Sequence, residues 1–131
     1  MKLLLLLSGA LAFATFASLA TEVQVVLVNG TSTDIEVEAQ SGKPSLEVLP
    51  HESKTVLLRQ PQWLRFGQEA YKYSIGPIAQ HAKVTSASVV LQAHIDGKLY
   101  VVPSGTSKPL AEFPPQPKGF PLKPTRKADL T

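Results

Sequence analysis

Ala87-Ser88-Val89-Val90-Leu91-Gln92-Ala93-His94-Ile95-Asp96-Gly97-Lys98-Leu99-Tyr100-Val101-Val102 decides the fold. Asp-Gly between two alternating apolar runs is a strong short-range marker of a β-hairpin. The alternation also selects the loop length. A two-residue Asp96-Gly97 turn would set Ile95 opposite Lys98 and His94 opposite Leu99, mixing apolar and polar partners. A three-residue loop Ile95-Asp96-Gly97, with Gly97 left-handed, pairs Ala93 with Leu99 and Leu91 with Val101 and keeps one face apolar. The expectation is this bulged form, with Gln92, His94, Lys98 and Tyr100 facing solvent.

Period two continues toward the N-terminus. Glu22 to Val28 is β-branched and apolar on both faces at Val25-Val26-Leu27-Val28, which predicts a central strand covered on both sides. Asn29-Gly30-Thr31-Ser32-Thr33 reads as a loop; Asn29-Gly30-Thr31 also fits a glycosylation sequon, but Asn-Gly is a turn signal in its own right. Asp34 to Gln40 alternates strictly, with Ile35, Val37 and Ala39 on one face. Ser41-Gly42-Lys43-Pro44 breaks the chain before a short strand carrying Leu46 and Val48, and Pro50-His51-Glu52-Ser53 turns it into a strand over Thr55 to Arg59. Gln62 to Phe66 and Ala70 to Ile75 form two further strands about Gly67, the second with Tyr71, Tyr73 and Ile75 on one face. Gly76 to Lys83 reads as a loop or one helical turn, Pro77 opposing a helix that starts before it.

Seven to eight short strands with frequent turn signals predict an all-β antiparallel β-sandwich, with a small barrel as the alternative closure. The expected core is Val23, Val25, Leu27, Ile35, Val37, Leu46, Val48, Val56, Leu58, Val89, Leu91, Leu99 and Val101, filled in by Trp63, Phe66 and Tyr73. Asn29 closing the first strand, the charged alternating strand, and Leu46-Glu47-Val48-Leu49-Pro50-His51-Glu52-Ser53 leading into Val56-Leu57-Leu58 form a pattern. Over residues 23–59 it resembles the Ig-like domains of the periplasmic pilus-chaperone and major-sperm-protein type. The resemblance implies an Ig-like sandwich.

From Pro103 the composition changes, seven of the eleven prolines falling in residues 103–131. Phe113-Pro114-Pro115-Gln116-Pro117-Lys118-Gly119-Phe120-Pro121-Leu122-Lys123-Pro124 excludes a helix or an interior strand and predicts an extended proline-rich C-terminal tail. Leu110, Phe113, Phe120 and Leu122 are too apolar for a purely solvated linker. The segment therefore either packs back across an edge or face of the sandwich or serves as a ligand for another protein's aromatic groove. Thr125 to Thr131 is expected to fray.

Lys2, an apolar run from Leu3, and Ser18-Leu19-Ala20 before Thr21-Glu22 read as a cleavable signal peptide. The expected organisation is a signal peptide at 1–20, a β-sandwich domain at 21–102 and a proline-rich basic tail at 103–131. The address is the periplasm or the exterior, with no stable membrane insertion after cleavage. The chain has no cysteine, so neither disulfides nor a lipidated cysteine at the cleavage point enters the account, and a bacterial envelope suits it best. Residues 21–102 carry seven Lys or Arg against eight Asp or Glu, and residues 103–131 five against two. That balance is too weak to point to nucleic acid.

Catalytic motifs are absent: there is no Gly-x-Ser-x-Gly, no His-Glu-x-x-His and no phosphate-cradling glycine loop. His51, His81 and His94 lie far apart in sequence, so no metal site and no cofactor is expected. Gln62-Trp63-Leu64-Arg65-Phe66-Gly67 carries the sole tryptophan, and Trp63 with Arg65 has the residue types of a binding hot spot, although the favoured reading is that Trp63 and Phe66 fill the core and Arg65 caps the edge. The expected function is a non-catalytic, exported binding module that engages another envelope protein through the tail or a sheet edge. Its partner-contacting candidates are Trp63, Arg65, Phe113, Phe120, Leu122, Lys118 and Lys123. The alternative is a carrier of a small ligand or metal ion using the histidines or the surface from Trp63 to Tyr73.

Overall fold

The computed structural model describes residues 22–38, 45–85 and 88–130. The leader, Ala39 and Gln40 of the alternating stretch, the Ser41–Pro44 break, Ala87 and Thr131 lie outside the described residues. Nine strands and one helix are formed among the rest, an all-β architecture. In chain order they are β1 (Glu22–Asn29), β2 (Ile35–Val37), β3 (Leu46–Val48), β4 (Ser53–Arg59), β5 (Gln62–Phe66), β6 (Glu69–Tyr73), α1 (Gly76–Thr85), β7 (Val89–Ala93), β8 (Leu99–Val101) and β9 (Thr125–Arg126). They form two sheets, ordered β4-β1-β7-β8 and β3-β2-β5-β6-β9. Val25, Leu27 and Leu91 of the first sheet join Ile35, Leu64 and Tyr73 of the second in one apolar cluster.

β1 is central, flanked by β4 and β7, as its doubly apolar sequence requires. Its pairing with β7 is parallel, which corrects the antiparallel expectation. The physical cause is the connection: the chain leaves β6 in the second sheet and crosses through α1, which packs on β1 and β7, before entering the first sheet alongside β1. α1 itself corrects the expected loop or single turn. Pro77 sits in the first turn, where a missing N–H breaks no intrahelical bond, and Ile78 and Ala82, one turn apart, face the core.

The hairpin follows its alternation. Leu91 pairs with Val101, Gln92 with Tyr100 and Ala93 with Leu99, and Gly97 closes the loop at φ +85°. Its outer face is not open to water, however. Gln92 is 2% exposed and Tyr100 half-buried, because residues 103–116 fold back over them. Gly105 lies against Val26 and Ser53, and Phe113 rests on Tyr100 with ring centroids 5.0 Å apart.

Two glutamines hold this return segment by imitating a backbone. The Gln92 side chain donates to the Lys108 carbonyl at 2.8 Å and accepts from the Lys108 N–H at 3.0 Å. The Gln116 side chain does the same to Val101, accepting its N–H at 2.8 Å and donating to its carbonyl at 3.0 Å. Leu99 and Leu122 exchange both backbone bonds, at 3.0 and 2.8 Å. The outer edge of β8 is thereby satisfied by one side chain and one isolated bridge. Further on, β9 adds to β6 through Tyr71–Arg126 and Lys72–Thr125, and a 3-10 turn spans Lys127–Leu130. For residues 125–130 the expected fraying is corrected, since β6 pairs with Thr125 and Arg126 and the 3-10 turn orders the four residues after them.

The core differs from the expected set at its margins. Leu46 is 36% exposed, because β3 is a three-residue edge strand that buries only Val48. Val23, Val101 and Trp63 are half-buried. Leu64, Ile75, Ile78, Ala93 and Leu122 complete the interior instead.

Candidate functional site

The sequence-derived binding residues fall on separate surfaces. On β5 the pleat turns Gln62, Leu64 and Phe66 inward and Trp63 and Arg65 outward. Trp63 sits opposite Lys72 of β6, and Arg65 lies 3.5 Å from the Glu36 carboxylate on the neighbouring strand. Both partners of that ion pair are about half exposed, so it contributes little to stability. Tyr71 and Tyr73 face the other way. Tyr71 packs edge-to-face on Phe66 at 5.2 Å, and the Tyr73 hydroxyl donates to the Gly97 carbonyl inside the core. A continuous surface from Trp63 to Tyr73 therefore does not exist.

The tail candidates divide in the same manner. Leu122 is 5% exposed and belongs to the core. Phe120 packs on that core with its ring 5.5 Å from the His81 imidazole, and Phe113 covers Tyr100. Lys118 and Lys123 are exposed. Phe113, Phe120 and Leu122, which would anchor the tail in another protein's groove, are engaged within this one, whereas Leu110 stays 48% exposed.

The three histidines occupy three places: His51 in the β3–β4 turn, His81 on α1 and His94 beside Asp96 at the hairpin tip. Among the described residues no three His, Cys, Asp or Glu side chains converge as a metal ion would require. A shallow cleft of about 190 Å³ gathers Asp34, Glu36, Glu47 and Arg65. There the charge of Asp34, and then its hydrogen bond, raises the Glu47 carboxyl above its ordinary value.

The most organised polar region lies where β1 ends. Asn29 is fully buried, and its amide donates to the carbonyls of Thr33 at 2.7 Å and Val48 at 2.9 Å. Its Oδ1 accepts from the Thr31 N–H at 2.9 Å and hydroxyl at 2.7 Å. The Asn29 backbone completes the clamp, donating to Glu52 and accepting from His51. One side chain thus fixes the β1–β2 loop, the end of β3 and the turn into β4. Beside it opens a concavity of about 550 Å³ lined by Gly30, His51, Thr106, Ser107, Lys108 and Pro109. His51 Nδ1 lies 3.3 Å from Ser107 Oγ across it, a pair 56 positions apart that no local pattern discloses. Among the described residues no carboxylate bonds His51, so the pair lacks the third group that orients a catalytic histidine.

The edges of the sheets differ in their cover. Bonds from the tail close β8, and β9 covers β6, whereas β4 and β3 end their sheets with no further strand among the described residues. The Asn29–Glu52 bond sets the alternation along β1 and β4, so that Thr55 and Leu57 direct their N–H and C=O groups away from β1. No helix among the described residues is long and apolar enough to cross a membrane. No family model, curated protein or solved structure matches the chain.

Proposed function

We propose that the chain is a non-catalytic, exported Ig-like β-sandwich that binds an extended segment of another envelope protein along the free edge of β4. The observation that carries this reading is the contrast between edges: the molecule's own tail seals two, and the seven-residue β4 has no outer strand among the described residues.

Connectivity supports the Ig-like assignment. β1 to β6 follow the strand sequence B, C, C′, E, F, G of such domains, with β1 on β4 in one sheet and β3, β2, β5 and β6 in the other. β7 and β8 occupy the side of β1 where strand A would lie. Among the described residues no strand takes the position beside β4, which strand D fills in a constant-type domain, and the four residues Leu49–Glu52 between β3 and β4 leave no room for it there. A partner strand in that position would satisfy the outward backbone groups of Thr55 and Leu57 by β-augmentation. β4 contains no proline to blunt such pairing.

The test is panning of the full chain against displayed peptides of about ten residues, a length that matches a typical strand, followed by binding to Thr55→Pro. Proline at this exposed edge position removes one outward donor and leaves the bonds to β1 intact. At least a tenfold loss of affinity, with hydrogen exchange at the Leu57 amide slowed by the peptide, is the expected result. Unchanged binding by Thr55→Pro, with loss on Lys118→Ala/Lys123→Ala, would assign recognition to the tail and overturn the reading. A β4-to-β4 homodimer dispersed by Thr55→Pro would make a second copy the occupant and overturn it equally.

A further inference from the structure

We infer that the concavity between the β3–β4 turn and residues 106–109 is a binding site for a phosphoryl group, either a free phosphate ion or a phosphate monoester. This site stands independently of strand addition at β4. Of its six lining residues one is a histidine, two bear hydroxyls and one is a lysine, and none is acidic. Glu52, the acid that follows His51 in the chain, is already engaged: its Oε1 accepts the Leu49 N–H at 3.0 Å and lies 3.7 Å from Lys54 Nζ. Among the described residues Lys108 makes no ion pair, although it is half-buried. A lysine without an acidic partner, on a concave wall beside hydroxyl-bearing residues, suits a multiply charged oxyanion.

The wall is built rather than incidental. Gln92, itself buried, grips both backbone groups of Lys108, so the lysine stem leaves from a fixed point. Gly30 makes that grip possible, since a Cβ there would stand 2.4 Å from Gln92 Nε2. Opposite, His51 sits at φ +62° in the third position of the Leu49-Pro50-His51-Glu52 turn, closed by Glu52 donating to Leu49 at 3.0 Å. Glycine is the unstrained residue at such a position. A histidine held there in the left-handed region, its ring turned to Ser107, is backbone strain kept at the rim of a cavity. The volume of about 550 Å³ exceeds that of a lone phosphate and leaves room for the organic part of an ester.

The experiment is a titration of the full chain, followed through its amide NMR signals, with inorganic phosphate, with phenyl phosphate and with sodium chloride at matched ionic strength. Saturable shifts at Gly30, His51 and Thr106–Lys108 with either phosphate compound, and none with chloride, are expected. Saturation by inorganic phosphate alone identifies the free ion as the ligand source, and tighter binding of phenyl phosphate identifies an ester; both support the site. Lys108→Met should weaken binding at least tenfold, and Lys118→Met should leave it unchanged. His51→Gly should bind several-fold more weakly with an undiminished urea midpoint. The proposal is overturned if neither compound saturates, if Lys108→Met binds as the parent does, or if the shifts gather on Lys118, Lys123, Arg126 and Lys127. It is overturned equally if His51→Gly lowers the urea midpoint and leaves binding intact, because His51 would then serve the turn alone.

Discussion

Truncating Leu122 to alanine tests whether the C-terminal segment is part of the folded core. Leu122 is 5% exposed, and its neighbours in the apolar cluster come from both sheets. Burying a leucine side chain is worth about 1.5–3 kcal/mol by transfer, and the void left on truncation adds to the loss. The backbone bridge to Leu99 does not depend on the side chain and should survive. The expected destabilisation is about 3 kcal/mol, within a range of about 2–5. For a domain of this size that corresponds to a fall in Tm of roughly 12 °C, at about 4 °C per kcal/mol. Equilibrium unfolding in urea would measure it as a lower midpoint with an unchanged slope. Lys123→Ala, one residue on and exposed, is the control and should stay within about 0.5 kcal/mol. A loss below about 1 kcal/mol for Leu122→Ala, indistinguishable from the control, would refute the tail as a core element.

Two further outcomes follow from buried polar groups. Asn29→Ala should cost about 2–4 kcal/mol in urea unfolding, because it strips buried partners from the Thr31 N–H and the Val48 carbonyl; a loss under about 1 kcal/mol would mean that water or rearrangement replaces them. Burial holds the Tyr73 phenol neutral far above its ordinary range, whereas in the unfolded chain it ionises near pH 10. The folded-state value is the higher one, so this contribution is fully present below about pH 10 and declines by roughly 1.4 kcal/mol per pH unit above it. Tyr73→Phe should therefore lose about 1 kcal/mol at pH 7, through the bond to Gly97, and show a shallower alkaline decline; parallel pH profiles for the two proteins would refute the assignment.

Local patterns made much of the sheet legible. The β7–β8 register was set by Gly97 and the alternation beside it, and β1 declared its central place by being apolar on both faces. What stayed hidden required distant partners. The solvent-facing reading of Gln92 and Tyr100 was locally sound and failed because Lys108 and Phe113 cover them. α1 carries few apolar residues and begins with Gly76-Pro77, so its only strong signal is Ile78 with Ala82. The parallel pairing of β1 with β7 depends on the crossover and not on either strand's residues. Trp63 and Arg65 share the outward face of β5, but nothing local says that Tyr71 and Tyr73 point through the opposite one. The concavity joins His51 to Ser107, which no spacing rule connects.

Sealing two edges with the last stretch of chain also orders events during synthesis. Eight of the nine strands among the described residues are complete by Val101, yet Leu122 and β9 are still to come. At about 5–20 residues per second, the roughly 25 residues from Val101 to Arg126 take one to five seconds to appear. For that interval the nascent chain holds nearly all its strand sequence with the flanks of β8 and β6 bare, a state recognisable to chaperones and to other copies of itself. A stop codon falling there would yield a sticky intermediate rather than a smaller working domain.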